Sequence, residues 1–538
     1  MRRFRPRRLL WAGAVLFLAL AALSVGAEAR SVKWARAADA LTLDPHSQNE
    51  GPTITLAHQI YEPLIVRDGQ GRLTPALAEA WSLTSDPLVW EFRLRKGVRF
   101  HDGSAFTADD VIFSYERAQQ PVSGMRWLLA SVDTVAKVDD HTIRIKTKTP
   151  NALLPNNLTD LFIMSKSWTT KANSVAVHDL QKAEEPEIAR TANGTGPFQL
   201  VSRERGVKTV MKRNDNYWER FPETFEMTEL VFLPIKADNT RIAALLSGEV
   251  DFVQDVPVQE IEKLKQQPNM ALRVGPENRS IFLGMNVGAA ELATSDVKGR
   301  NPFADKRVRQ AINMAVNRQA IQRTVMRGQS LPTGIIAPPG VNGYSVDLDK
   351  IPPVDNAKAK ALLADAGYPD GFSVTLHCPN DRYVNDEAIC GAIVTQLQQI
   401  GIRLTLVAQS RAVHVPMIQA TPPTVDFYLL GWGVPTFDSA YIFSLLFHTR
   451  TDKLGTWNGT RYSNPDVDRM IESLATEIDA TKRNDTIQRL WARLQDETIY
   501  VPIHIQTIAY AMRNDIDIGV DVANQPKFKL MKFKKAGG

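Results

Sequence analysis

The residue types that could do chemistry in this chain point to binding rather than to bond making. A mostly apolar run at 425–430 reads as a strand and leads into Gly431-Trp432-Gly433. In open α/β sheets, ligands settle beyond the carboxyl ends of strands. Glycines on either side let the backbone turn sharply and let a ligand come close. A tryptophan between them offers a broad apolar face and one N–H donor. From position alone Trp432 has two readings, a platform for a small solute or a plug for the core beneath its strand.

Enzyme signatures are missing or incomplete. The chain has no His-Glu-x-x-His, no Gly-x-Ser-x-Gly and no Gly-Lys dipeptide of a phosphate loop. Ser295-Asp-Val-Lys298 matches the serine–lysine motif of penicillin-binding enzymes, but no Lys-Thr-Gly accompanies it. Gly194-Thr-Gly196 lacks the third glycine of a dinucleotide loop. The nine histidines show no paired ligand spacing, and lone histidines such as His414 and His448 are more often structural. The expectation is no catalytic residue, no cofactor and no metal site. The two cysteines, Cys378 and Cys390, also lack metal-ligand spacing with a histidine. Cys378 closes a predicted strand and Cys390 lies early in the following helix. In an oxidising compartment they could pair and staple the loop between them; two separate buried thiols are the alternative.

The elements that must position these residues follow two periods. Trp90, Phe92 and Leu94 alternate with charged neighbours, a half-buried strand, and 98–101 reads as a second alternating run. Asp139-Asp140 separates 134–138 from 142–146 as a hairpin. Between them Thr107 and Asp110 form a capping box before a helix carrying Val111, Tyr115 and Ala118. Further on, strands at 229–233 and 250–253 flank a helix at 239–247, with Gly248 as its stop. A larger copy follows: a strand at 372–377, a helix face of Ile389, Ile393, Leu397 and Ile400, then Gly401 and a strand at 402–407. Strand–helix–strand units of this kind build parallel sheets covered by helices.

At 538 residues the chain is too long for one core, since cores stop growing near ~250–300 residues, so two large lobes are expected. Its content, 44% hydrophobic and 23% charged, excludes disorder and a multispan membrane protein. Residues 1–29 open with Arg2, Arg3, Arg5, Arg7 and Arg8, continue with an apolar run from Leu9 to Leu23, and close on Ala27-Glu28-Ala29. That order reads as a cleaved secretory signal. Beyond it the chain carries 59 basic and 58 acidic residues, which gives no global field to gather nucleic acid. No cysteine lies at the cleavage site for a lipid anchor, so the expected location is the periplasm.

Several ordered stretches now carry a resemblance. They are Pro75-Ala-Leu-Ala-Glu-Ala-Trp81, Trp90-Glu-Phe-Arg-Leu-Arg-Lys-Gly-Val-Arg-Phe-His-Asp-Gly103, Phe106-Thr-Ala-Asp-Asp-Val111 and Ser114-Tyr-Glu-Arg117. Gly194-Thr-Gly-Pro-Phe198, Leu246-Ser-Gly-Glu-Val-Asp251, Pro302-Phe-Ala-Asp-Lys-Arg-Val-Arg-Gln-Ala311 and Tyr462-Ser-Asn-Pro-Asp466 follow in order. The set resembles solute-binding protein family 5, the dipeptide, oligopeptide and nickel-binding proteins of ABC importers. The resemblance implies an α/β, two-lobed periplasmic binding protein (type II, cluster C) with a hinged cleft. Lobe I would span 30–285, with a β-rich subdomain at about 63–193, lobe II 286–500, and 501–538 would return to lobe I. Implied partners are a peptide or small-molecule ligand and the permease subunits in the inner membrane, with the protein itself a monomer.

Site residues follow from the same resemblance. Peptide binders of this family place an aspartate a few residues after a Gly-Trp pair, to hold the ligand's ammonium group. Here the first carboxylate after Trp432 is Asp438, which is read either in that role or as a plain loop aspartate. Asp381-Arg382-Tyr383 follows the strand at 372–377, where relatives place arginine and tyrosine contacts for a carboxylate, so Arg382 and Tyr383 join Trp432 as ligand candidates. The departures around Asp438 keep several ligands in view: a peptide, an opine-like or glutathione-like solute, or a nickel chelate. A sensory rather than a transport role also stays open.

Overall fold

The computed structural model describes residues 30–180, 182 and 184–534; the expected signal segment, 1–29, lies outside them. One sheet of 11 strands runs through both halves of the molecule. Its order begins with Ile402–Gln409, Phe372–Pro379 and Phe427–Gly433, crosses Met270–Met285 and Tyr500–Arg513, and continues through Phe252–Val253, Arg30–Arg36 and Met227–Pro234 to Lys208–Arg213 and Phe198–Glu204, with Ser330–Pro332 paired to Tyr500–Arg513 off this path. This is a mixed α/β architecture, as expected.

The strand–helix–strand unit at 372–409 forms as its periodicity predicts. Phe372–Pro379 and Ile402–Gln409 pair in parallel from Phe372↔Ile402 to Pro379↔Gln409. The helix between them, Asp386–Gln398, buries Ile389, Ile393 and Leu397. Cys378 and Cys390 form a disulfide that ties the end of the first strand to this helix. The smaller unit is interrupted: Met227–Pro234 and Phe252–Val253 are not neighbours, because Arg30–Arg36 lies between them and pairs in parallel with both. That strand, with Val32 and Trp34 buried, has no counterpart among the elements predicted from the sequence.

A separate four-stranded antiparallel sheet holds Ala78–Leu83, Val89–Leu94, Thr142–Thr147 and Val132–Asp139. It buries Phe92, Leu94, Ile143 and Ile145. The expected hairpin is the pair Val132–Asp139 and Thr142–Thr147. Helix Ala108–Ala118 is capped as predicted, with the Thr107 N–H donating to Asp110 at 2.9 Å. The run at 98–101, by contrast, forms only an isolated bridge, Arg99↔Ala105, because the Asp102-Gly103 turn reverses the chain at once.

The two lobes are joined through the long antiparallel pair Met270–Met285 and Tyr500–Arg513, whose register breaks between Pro276 and Ser280. Ile281, Leu283, Val501 and Ile503 belong to one hydrophobic core; Ile508, Tyr510 and Met512 belong to another, together with Trp34 and Phe232. The division between cores therefore falls inside the two strands, near 276–280 and 505–508, rather than at 285/286 and 500/501. The ladder is interrupted where one core gives way to the next, since 277–279 have no partner on Tyr500–Arg513, and proline within a strand marks such an irregularity. On the far side of the crossing the sheet is buried on both faces: Ile281, Leu283, Phe427 and Leu429 face one core, Phe282, Tyr428 and Leu430 the other.

Candidate solute-binding cleft

A cavity of about 500 Å³ opens between the two lobes. One wall comes from segments around 49–68, 159–160 and 521–527; the other from 382–383, 411–415, 431–437 and Trp457; residues 277–279 of the crossing strand join them.

Trp432 lines this cavity, and it sits one step earlier in the local architecture than expected. The strand extends through Gly433 and pairs Ser280↔Trp432 and Arg279↔Gly433 with the crossing strand. The indole stacks on Tyr441 with ring centres 5.7 Å apart and meets Trp457 edge-on at 5.2 Å. It is 7% exposed, yet its Nε1–H has no hydrogen-bond partner among the described residues. The ring is packed against Tyr441 and Trp457, and its buried N–H is unmet among the described residues. Gly431 has a different reason from the one its position suggested. A Cβ there would come within 2.5 Å of the Tyr383 ring, and the Tyr383 hydroxyl donates to the Gly431 carbonyl at 2.9 Å.

Arg382 and Tyr383 occupy the loop between Phe372–Pro379 and Asp386–Gln398. Asp386, at the start of that helix, accepts both their backbone N–H groups, at 3.1 and 3.0 Å. The Arg382 guanidinium lies 5.3 Å from the Tyr383 ring centre, and that of Arg279 lies 6.0 Å from the same ring. Among the described residues Arg382 makes no ion pair, whereas Arg279 pairs with Glu277 at 3.2 Å. The Arg382 side chain is exposed; partial desolvation lowers its pKa, and the nearby charges of Arg279 and Arg411 lower it further.

Asp438 is a correction. It does not line the cavity and is 2% exposed. Its two oxygens each accept from Arg483 at 2.7 Å, one also from Asn342 at 2.9 Å, and the other from the Ala440 N–H at 2.9 Å as a helix cap. A carboxylate so fully engaged has no capacity left for a ligand's ammonium group.

The description "bacterial extracellular solute-binding proteins, family 5 Middle" matches residues 72–453. The chain belongs to that family. Its relatives include the glutathione-binding protein GsiB of Pectobacterium atrosepticum, 29% identical over 464 residues that cover 84% of each chain. Among solved structures, the PBP AgaA of A. tumefacien R10 in complex with agropinic acid superposes with a TM-score of 0.70 at 25% identity, covering 94% of this chain and 99% of that one. HbpA2 of Haemophilus parasuis superposes with a TM-score of 0.80 at 22% identity, covering 94% and 100%, which is a likeness of fold.

In this family 5 protein the opposite wall holds polar residues that no motif had marked. His58 Nε2 lies 2.9 Å from Asp160 Oδ1. Burial and then the charge of Lys527 push the His58 pKa down to about 4. Lys527 makes no ion pair among the described residues, and burial lowers its pKa against the pull of Asp521 and Asp160. Asp521 accepts the N–H groups of Ala523 and Gln525 at 2.9 and 3.3 Å through one oxygen. These residues come from three distant segments, so no spacing in the sequence could have gathered them.

One end of the cleft is closed by a direct contact between the lobes. Arg67 donates to the Thr436 carbonyl at 3.1 Å and lies 4.3 Å from the Phe437 ring centre. Asn156 donates to the same carbonyl at 2.7 Å. Phe437 adopts φ +53°, and its ring lies so close to Gly71 that a Cβ on that glycine would come within 2.5 Å.

Proposed function

We propose that this protein is the periplasmic substrate-binding component of an ABC importer. It captures a peptide or another small amino-acid-derived solute between its lobes and delivers it to the permease subunits of the inner membrane. The observation that carries the reading is the coincidence of Trp432 and Arg382. Trp432, whose buried indole N–H is unmet, and Arg382, whose guanidinium makes no ion pair among the described residues, line one inter-lobe cavity, whose volume falls within the ~300–1,000 Å³ usual for small-molecule sites. Tyr383 sets the geometry by linking the Arg382 loop to the Trp432 strand. Membership of the family supports transport rather than catalysis. The names of two relatives, one a glutathione-binding protein and one holding agropinic acid, favour amino-acid-derived solutes that are not ordinary peptides.

Binding to the folded state alone raises stability by ~2.7 kcal/mol at a ligand excess of 100 times Kd, so a thermal-shift screen reads the ligand class directly. The panel is dipeptides, oligopeptides, opines, glutathione and nickel chelates. Trp432→Ala should weaken every hit through lost apolar contact, and Arg382→Ala should weaken hits that bear a carboxylate. A hit that binds both variants as tightly as wild type would place the ligand elsewhere.

A further inference from the structure

The charges of the cleft are sorted by wall. Arg279, Arg382 and Arg411 line the side formed by the crossing strand and lobe II, with Glu277 as the one carboxylate beside them. The facing wall carries Glu50, Asp68, Asp160 and Asp521 against Arg67 and Lys527. One side therefore has a surplus of two positive charges and the other a surplus of two negative charges.

The three arginines are not equivalent. Arg279 is engaged by Glu277. Arg382 and Arg411 make no ion pair among the described residues, and Arg411 is anchored only through its backbone N–H, which donates to Asp381 at 2.6 Å. Tyr383 lies beside both Arg279 and Arg382. A guanidinium fork takes a carboxylate in bidentate fashion, and the geometry suits one fork to one carboxylate. Two open forks on one wall therefore ask for two anionic groups. Arg382 is exposed, but partial desolvation and its arginine neighbours still disfavour its charge, and an incoming anion offsets both.

We propose that the captured solute carries two carboxylates, one held by Arg382 and the other by Arg411, with its cationic end toward Asp160 and Asp521. This rests on the solute-capture reading above and narrows it to dianionic amino-acid derivatives. N-carboxyalkyl amino acids, acidic dipeptides and γ-glutamyl peptides all fit that description. An ordinary neutral dipeptide would leave one fork unfilled.

The test uses matched probes that differ by one charge: Ala-Glu with Ala-Gln, glutathione with its glycinamide, and N-(1-carboxyethyl)alanine with its monoamide. Affinities are measured by titration calorimetry on the mature protein. At least one pair should show the dicarboxylate binding about tenfold or more tightly than its twin, the scale of one charge-assisted contact. In Arg411→Gln that ratio should fall to about threefold or less through weaker binding of the dicarboxylate, while Arg411→Lys keeps part of it. Arg411 is exposed and its side chain makes no hydrogen bond among the described residues, so the variant should fold; an unchanged melting temperature without ligand checks this. Twins that bind equally well, or a ratio that survives Arg411→Gln, would overturn the two-carboxylate assignment and leave solute capture standing. If no amino-acid-derived probe binds, both readings fail.

Discussion

Asp438 and Arg382 sit on loops of the same lobe, and the difference between them is one of partners. Asp438 meets Arg483, whose side chain is 5% exposed, in a fully buried two-pronged pair. Removing one member of a buried pair leaves the other charge without compensation, at a cost of about 3–5 kcal/mol. Asp438→Asn is therefore expected to lower the urea midpoint sharply while leaving the order of ligand preferences intact. A variant of normal stability that has lost ligands bearing an ammonium group would restore Asp438 to the binding site. The sequence could not separate these outcomes, because Arg483 lies 45 positions away on another helix. The place of Arg382 and Tyr383 on the cavity wall was legible because a strand ends shortly before them. Arg411 was not, because it starts the helix Arg411–Gln419 and looks like any solvated first-turn cation.

The loop that carries Arg382 and Tyr383 is closed at both ends by structure that the sequence did announce. A strand enters it and a helix leaves it, and the Cys378–Cys390 disulfide bridges the two across a separation of 12 residues. Inside the bridge, Asp386 holds the Arg382 and Tyr383 backbone from the helix side. Period-two and helical patterns made these elements readable. The parallel strand Arg30–Arg36 was not, since only its pairing with two distant strands reveals its central place in the sheet. A disulfide closing so short a loop stabilises by about 3 kcal/mol in the chain-entropy view. The double variant Cys378→Ser with Cys390→Ser should lose up to that amount. It should also weaken carboxylate-bearing ligands more than Trp432→Ala would relative to uncharged ones, because the loop that aims Arg382 gains freedom. Reductant titration followed by calorimetry checks both effects. If affinity stays at the wild-type level while stability falls, the bridge serves the lobe core rather than the ligand loop.

At the scale of the molecule, two α/β lobes and an antiparallel insertion were legible from length and alternation, but the way the lobes meet was not. The contact depends on Phe437 in a left-handed conformation, rare for a bulky side chain and costing roughly 1–3 kcal/mol. That conformation persists because lobe I grips the ring and the backbone next to it. Arg67 covers the ring and bonds Thr436, Asn156 bonds the same carbonyl, and Gly71 leaves room for the aromatic edge. Within lobe II, Asn342 donates to the Phe437 carbonyl at 2.9 Å. Loss of this clasp should shift the lobes toward an open arrangement, and a smaller closed fraction lowers the apparent affinity of every ligand by that same fraction. Arg67→Ala removes a cation–π contact worth about 0.5–2 kcal/mol and a hydrogen bond between lobes worth roughly 1 kcal/mol. The expected result is a uniform weakening of about tenfold or somewhat more, carried by faster dissociation in stopped-flow traces, with the preference for dicarboxylate over amide twin unchanged. Small-angle scattering of the ligand-free variant should show a larger radius of gyration than wild type. A selective loss of one ligand class would instead make Arg67 a ligand contact, consistent with the unpartnered Nε it turns into the protein interior beside the cleft. The clasp and the arginine wall thus make separable demands on the same measurement: Arg411 changes which solute is held, and Arg67 changes how long any solute is held.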